Sequence, residues 1–388
     1  MIALVSAVSF VLAGCAQWRG DAGDDLADTA PEPPGVANPK GDGKARCEGV
    51  AIGYVGTING YTAELGRSVR NGVDLAVRRH NEANKNCLVE LVEHETEGVA
   101  AKAPGIVSGM VGTKRIIGVV GLPFSDEAKR AGKILHDGGL VLITPSATSN
   151  ALADNGWETF FRATGNDSVQ GKAAAKFLTT ELAKKKVCVV NDDSSYGSGL
   201  AKVVKDSLGD KATCEERVKR GQDDFDGVAE QIKEQRPDAV YYAGYYPEAA
   251  PFAKQLRAAG VEAQFVGSDG AKDGEFVKGA GDAAAGAYFT CSCVPSDQFE
   301  RFVALYERAF GAPPGTYSVE AYDAATVLLA GIDAGHQDRK SLLRYVGRYE
   351  GKGLSNQLDW DDKGELAKST AWAYKVAGGK IVSHAEIR

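Results

Sequence analysis

The sequence predicts an α/β protein built as two similar doubly wound parallel-sheet lobes joined by a hinge. Short apolar runs alternate with segments of helical period along most of the chain. That alternation runs through once and then starts again after Asp167, over a stretch of similar size. The clearest unit lies at residues 238–270. There an apolar run, Ala239 to Ala243, stops at Gly244, and Phe252, Leu256 and Ala259 follow at helical spacing. A second run, Phe265 to Gly267, then stops at Ser268-Asp269-Gly270. In one sheet this means parallel strands with a right-handed crossover, and ligands of such units sit beyond the carboxyl ends of the strands.

The chain opens on MIALVSAVSFVLAGCA, an apolar run too short to span a bilayer. It is similar to a bacterial lipoprotein signal, with Leu12-Ala13-Gly14-Cys15 as the lipobox. Residues 1–15 are therefore expected to be signal peptide and lipidation cysteine, with Cys15 carrying the acyl anchor to the membrane. Residues 16–46 are poor in large apolar side chains and predict a flexible tether.

From there the elements follow in order. Strands are expected at Gly49 to Val55, Leu88 to Glu93, Ile116 to Val120, Leu140 to Ile143 and Phe160 to Thr164. Helices lie between them at Glu64 to Asn81, Ala100 to Val111 and Asp126 to Asp137. A long helix, Ser168 to Lys184, opens the second lobe. Strands Val187 to Asp192 and Ala212 to Val218 follow, with helices Ser198 to Leu208 and Phe225 to Gln235, and then the unit at residues 238–270. Beyond it come strand Gly286 to Cys291, helices Asp297 to Phe310, Ser318 to Ala334 and Lys340 to Tyr349, and a final pair, Thr370 to Val376 and Ile381 to Ile387. Residues 47–163 with 292–358 are assigned to the N-terminal lobe, and 164–291 with 359–388 to the C-terminal lobe. A cleft between facing strand ends is the expected binding place.

A net charge of −7 disfavours nucleic acid as a partner. Six cysteines remain after Cys15, an even number in an exported chain, and predict disulfides. Cys47 and Cys87 head two strands expected to be adjacent, and Cys188 and Cys214 flank a similar unit in the second lobe. Cys291 and Cys293 either bridge each other or stay reduced. The five histidines are scattered and no CxxC occurs, so no metal is expected. Neither a dinucleotide fingerprint nor a P-loop is present, and no cofactor is expected.

Three hydroxyls of the first half, Ser125, Ser146 and Thr148, stand after strand ends where helices begin. Such positions serve as helix caps, and they also receive anions on free backbone N–H groups. From the second half, Tyr196, Tyr245 and Asp269 stand at the matching strand ends, as turn or core residues or as a grip for a cation. Together, anion donors in one lobe face an acid and aromatics in the other, which suits a zwitterionic α-amino acid.

The segments YYAGYYPEAA with GSDG after it, ITPSATS, DDSSYGSGLAK and DWDDKGEL resemble the periplasmic leucine/isoleucine/valine-binding proteins of ABC importers, the type I solute-binding fold. The resemblance runs from about Val50 to the C-terminus. It implies no catalysis, capture of one branched-chain or similar apolar amino acid, and delivery to a membrane permease. It further implies that the ligand carboxylate meets Ser125, the backbone of Ser146 and Ala147, and the Thr148 hydroxyl. The ammonium would meet Asp269 and Thr148, with Tyr196 closing the cleft and Tyr245 walling it. Three positions depart from the family. Asp269 stands where the leucine-binding members have Glu, Leu65 stands where they have an aromatic, and Leu122-Pro123-Phe124 lacks their serine-rich run. Rival readings are a sensory lipoprotein of the same fold, or a receptor for amides, short peptides or aromatic acids.

Overall fold

The computed structural model describes residues 27, 29–31 and 33–388, so Cys15 and the leader lie outside the described residues. The first sheet holds five parallel strands in the order β2-β1-β3-β4-β5. These are β1 (Ala51–Gly56), β2 (Glu90–Glu95), β3 (Ile116–Gly121), β4 (Val141–Thr144) and β5 (Phe160–Arg162). β1 and β3 are buried at every position, as expected of central strands covered by helices on both faces. Helices α1 (Ala63–Ala83), α2 (Ala103–Gly112) and α3 (Ser125–Asp137) make the crossovers.

The second sheet has the order β14-β13-β10-β9-β8-β6-β7. Its parallel part comprises β6 (Val187–Asn191), β7 (Ala212–Arg217), β8 (Ala239–Ala243), β9 (Gln264–Gly267) and β10 (Tyr288–Cys291). The closing pair, β13 (Ala371–Ala377) and β14 (Lys380–Ile387), runs antiparallel along the β10 edge. The edge strand β7 alternates half-buried and exposed positions, since only one of its faces is covered. Helices α4 (Asp167–Lys176), α5 (Ser195–Leu208), α6 (Asp226–Gln235), α7 (Tyr246–Ala258) and α8 (Gly274–Ala280) belong to this half.

The remaining helices are α9 (Glu300–Phe310), α10 (Ser318–Asp333) and α11 (Arg339–Val346). α10 lies against α1, and α11 against β3 and β4, so this late part of the chain completes the first half. Gly72 permits the close approach of α1 and α10, because a Cβ there would stand 2.2 Å from the Ser318 carbonyl oxygen. A short antiparallel pair, β11 (Glu350–Lys352) and β12 (Gln357–Asp359), follows α11.

Beyond shifts at element ends, expected and observed elements differ most in four places. The helix expected to run to Lys184 is α-helical only to Lys176, and a wider π-type turn, Phe177–Glu181, finishes it. α8 carries two glycines in seven residues and so showed no apolar period. β11 and β12, three residues each, were too short to read. The expectation of a free tether also fails over its last part. The Ala37 N–H donates to the Lys352 carbonyl (2.7 Å), and the Asn84 side chain binds both the Lys40 carbonyl (3.0 Å) and the Ala45 N–H (3.1 Å). Gln337 binds the Arg46 carbonyl at 2.6 Å. Polar side chains of the folded lobe strap this segment down through its backbone, which an argument from apolar content misses.

All three cysteine pairs are bonded: Cys47–Cys87, Cys188–Cys214 and Cys291–Cys293. Among the described residues, no helix is long and apolar enough to cross a membrane.

Candidate functional site

The carboxyl ends of the two sheets face each other across a cleft of about 330 Å³. From the first half, Leu65 and Val69 of α1, Pro123 and Phe124 after β3, and Ser125 and Ser146 reach its wall. From the second half come Tyr196, Tyr245, Asp269 and Gly270, while Tyr317 enters from the turn before α10. Six of the eight residues singled out in the sequence therefore share one cavity. Ala147 and Thr148 do not line it, both being fully buried behind Ser146. The Ala147 N–H donates to Thr144 Oγ1 at 3.2 Å, and the Thr148 hydroxyl lies against the Asp167 carboxyl.

Asp269 begins the short turn after β9 and is 3% exposed. Its Oδ1 accepts from Gln170 Nε2 at 2.5 Å and from the Tyr196 hydroxyl, and its Oδ2 accepts from the Tyr317 hydroxyl at 2.7 Å. Burial pushes this carboxyl above the usual carboxylate range, while the three hydrogen bonds oppose that shift. All three donors are neutral, and among the described residues no cation is hydrogen-bonded to Asp269, although the buried Lys272 feels its charge through space. Gly270 lets the turn nest here, since a Cβ would stand 2.7 Å from the Gly244 carbonyl oxygen and 3.0 Å from the Tyr245 ring.

Across the cleft, Ser125 opens α3 and Ser146 follows β4. Ser125 Oγ accepts from the Ser149 N–H at 3.2 Å, and Ser146 Oγ donates to the Pro123 carbonyl at 3.0 Å. Both hydroxyls keep hydrogen-bonding capacity for a ligand. The first-turn N–H groups of α3 add a partial positive charge at this wall. Arg162, fully buried on β5, fixes the loop behind it by donating to the Thr148 and Ser149 carbonyls at 2.8 and 2.9 Å. The rest of the cavity is apolar or aromatic.

The two halves also touch each other directly. Phe124 meets Tyr245 edge to face with ring centroids 5.4 Å apart. Tyr61 donates to Glu248 at 3.0 Å, and Tyr246 donates to the Tyr61 carbonyl at 3.2 Å. The Tyr317–Asp269 bond joins the halves at the floor of the cleft.

Phe124, Tyr317 and Gln170 escaped the sequence reading as site residues. Tyr317 stands immediately before α10, and only the docking of that helix brings it to the cleft. Gln170 sits one turn into α4 beside Thr290, whose carbonyl it also binds at 3.0 Å, and only the folded chain brings it to Asp269. Among the described residues, His80, Cys87 and Asp333 form the one group with three potential metal-ligand atoms close together. The Cys87 sulfur is committed to its disulfide, and His80 Nε2 pairs with Asp333 at 2.7 Å.

Residues 49–380 match the model of a family described as periplasmic binding protein. The leucine-, isoleucine-, valine-, threonine- and alanine-binding protein of Pseudomonas aeruginosa is 30% identical over 329 residues, which cover 82% of this chain and 87% of the relative. A leucine-binding protein of Thermotoga maritima superposes with a TM-score of 0.81 at 25% identity, covering 87% of this chain and 98% of that one. A branched-chain amino acid transporter substrate-binding protein of Streptococcus pneumoniae, solved with isoleucine, gives 0.80 at 26%, covering 86% and 99%. By its sheet order, its facing strand ends and this match across most of its length, the chain belongs to the periplasmic binding protein family.

Proposed function

We propose that this protein captures a branched-chain or similar apolar amino acid in the cleft and delivers it unchanged to an ABC importer permease. Its lobes are residues 47–163 with 292–358 and residues 164–291 with 359–388, and a lipid on Cys15 anchors it to a membrane outside the cytoplasm, in the periplasm or on the outer face of the cell membrane. The observation that carries the reading is Asp269, a buried carboxylate whose three side-chain donors are all neutral, in a cavity lined by no other charged residue. A ligand ammonium supplies the missing countercharge. Ser125, Ser146 and the head of α3 stand opposite to receive the ligand carboxylate. Leu65, Val69, Pro123 and Phe124 offer an apolar surface to the side chain. Ala147 and Thr148 act from behind this wall, by shaping the loop that Arg162 holds. The named ligands of the relatives, leucine, isoleucine and valine among them, agree with this chemistry.

A thermal-shift screen over the twenty amino acids tests the reading, because a ligand bound by the folded state alone raises the unfolding midpoint by mass action. Leucine, isoleucine or valine should give the largest shifts. A screen in which acidic or basic amino acids lead, and these three do nothing, would falsify it.

A further inference from the structure

Tyr317 reaches Asp269 from the other side of the cleft, and both side chains line the cavity. Tyr317 lies in the turn before α10, which belongs to the half opposite Asp269, and its ring is 4% exposed. Its φ is +66°, a left-handed conformation that is strained for a residue with a side chain and persists where surrounding structure enforces it. The enforcement is visible. Thr316 Oγ1 donates to the Lys272 carbonyl at 2.7 Å and receives Lys272 Nζ at 3.2 Å, and the Ser318 N–H returns to the Gly315 carbonyl. This strained turn delivers the Tyr317 hydroxyl to Asp269 Oδ2 and to the cavity wall together.

A carboxylate offers about four lone-pair sites. Tyr196 and Gln170 take those of Oδ1 from its own half, and Tyr317 takes one of Oδ2 from the other half. One acceptor site of Oδ2 remains, next to the phenol oxygen of Tyr317, which still accepts. We propose that Asp269 and Tyr317 work as one unit, in which Tyr317 is a specificity-determining residue that sets a second acceptor beside Oδ2 and selects ligands bearing a primary ammonium. The ammonium donates to both Oδ2 and the phenol oxygen. A molecule with only the carboxylate end gains nothing from the pair. This inference rests on the amino-acid reading above.

The test compares wild type, Tyr317→Phe, Asp269→Glu and the double variant, by ligand-free unfolding midpoint and by calorimetric titration with leucine. Competition with 4-methylpentanoate, leucine without its amino group, supplies the control. Tyr317→Phe should weaken leucine about ten- to a hundredfold, as expected for one hydrogen bond to a charged group, and leave 4-methylpentanoate within threefold. Asp269→Glu alone should crowd the two tyrosine hydroxyls and bind poorly, while the double variant, with a longer acid and no hydroxyl, should recover most of the loss. Equal weakening of leucine and 4-methylpentanoate, or no recovery in the double variant, would overturn the proposal. Additive midpoints in the ligand-free proteins would overturn the pairing without reference to any ligand. Wild-type protein that binds no branched-chain amino acid would instead remove the functional reading, and non-additive midpoints would then still uphold the pair.

Discussion

Replacing Asp269 with Asn separates the charge of the site from its shape. Asn is isosteric, and its amide oxygen at the Oδ1 position still accepts from Gln170 and Tyr196. Its NH2 group then faces Tyr317, whose hydroxyl turns from donor to acceptor at little cost, because a phenol does either. Ligand-free stability should therefore change by no more than about 1 kcal/mol, the net worth of one neutral hydrogen bond. Ligand binding loses the charge. A hydrogen bond to an ionised partner contributes about 1.5–3 kcal/mol, and about 1.4 kcal/mol is tenfold in affinity, so leucine should bind ten- to a hundredfold more weakly. The 3% exposure of Asp269 places the effect toward the upper end, since solvent screens a buried charge weakly. Calorimetry on wild type and variant reads the affinity, and a thermal melt without ligand reads the stability. Leucine affinity within threefold of wild type would refute the assignment of the ammonium to Asp269. A collapse of ligand-free stability would show that the acid serves the fold instead.

Two further outcomes concern other side chains. Burial pushes Glu127, Asp167 and Asp192 each up to about 7. Between about pH 4, where carboxyls of an unfolded chain ionise, and about pH 7, the folded protein holds more protons than the unfolded one, so stability falls as pH rises through this window. The ligand-free unfolding midpoint should be higher at about pH 5 than at about pH 8, and an equal or reversed order would contradict the burial of these acids. Cys15→Ala should move the protein from the membrane fraction to the soluble fraction, and retention at the membrane would place the anchor elsewhere.

How much of this could be read beforehand depends on the range of the interactions involved. β1, β3 and β8 announced themselves because a central parallel strand is apolar at every position, a local property. The disulfide partners followed from strand order, since β6 and β7 lie side by side with Cys188 opposite Cys214. Asp269, Tyr196 and Tyr245 were visible as chemistry at strand ends. Tyr317 was not, because its role exists only once α10 docks on α1 and swings the preceding turn over the cleft. The placement of Ala147 and Thr148 behind the cavity wall was equally hidden. It depends on Arg162, whose guanidinium draws two successive carbonyls of the loop inward. The strap at residues 37–46 went unread for a related reason. Its partners, Asn84, Gln337 and the Lys352 carbonyl, lie about 40 to 300 residues away.

The central claim is that the cleft recognises a dipole, negative wall to ammonium and hydrogen-bond donors to carboxylate. The most direct measurement is a calorimetric comparison of leucine with its two halves, 4-methylpentanoate and 3-methylbutylamine. The account predicts saturable one-to-one binding of leucine, with each half weaker by at least about tenfold, the loss of one charged hydrogen bond. Binding of either half as tightly as leucine would contradict it.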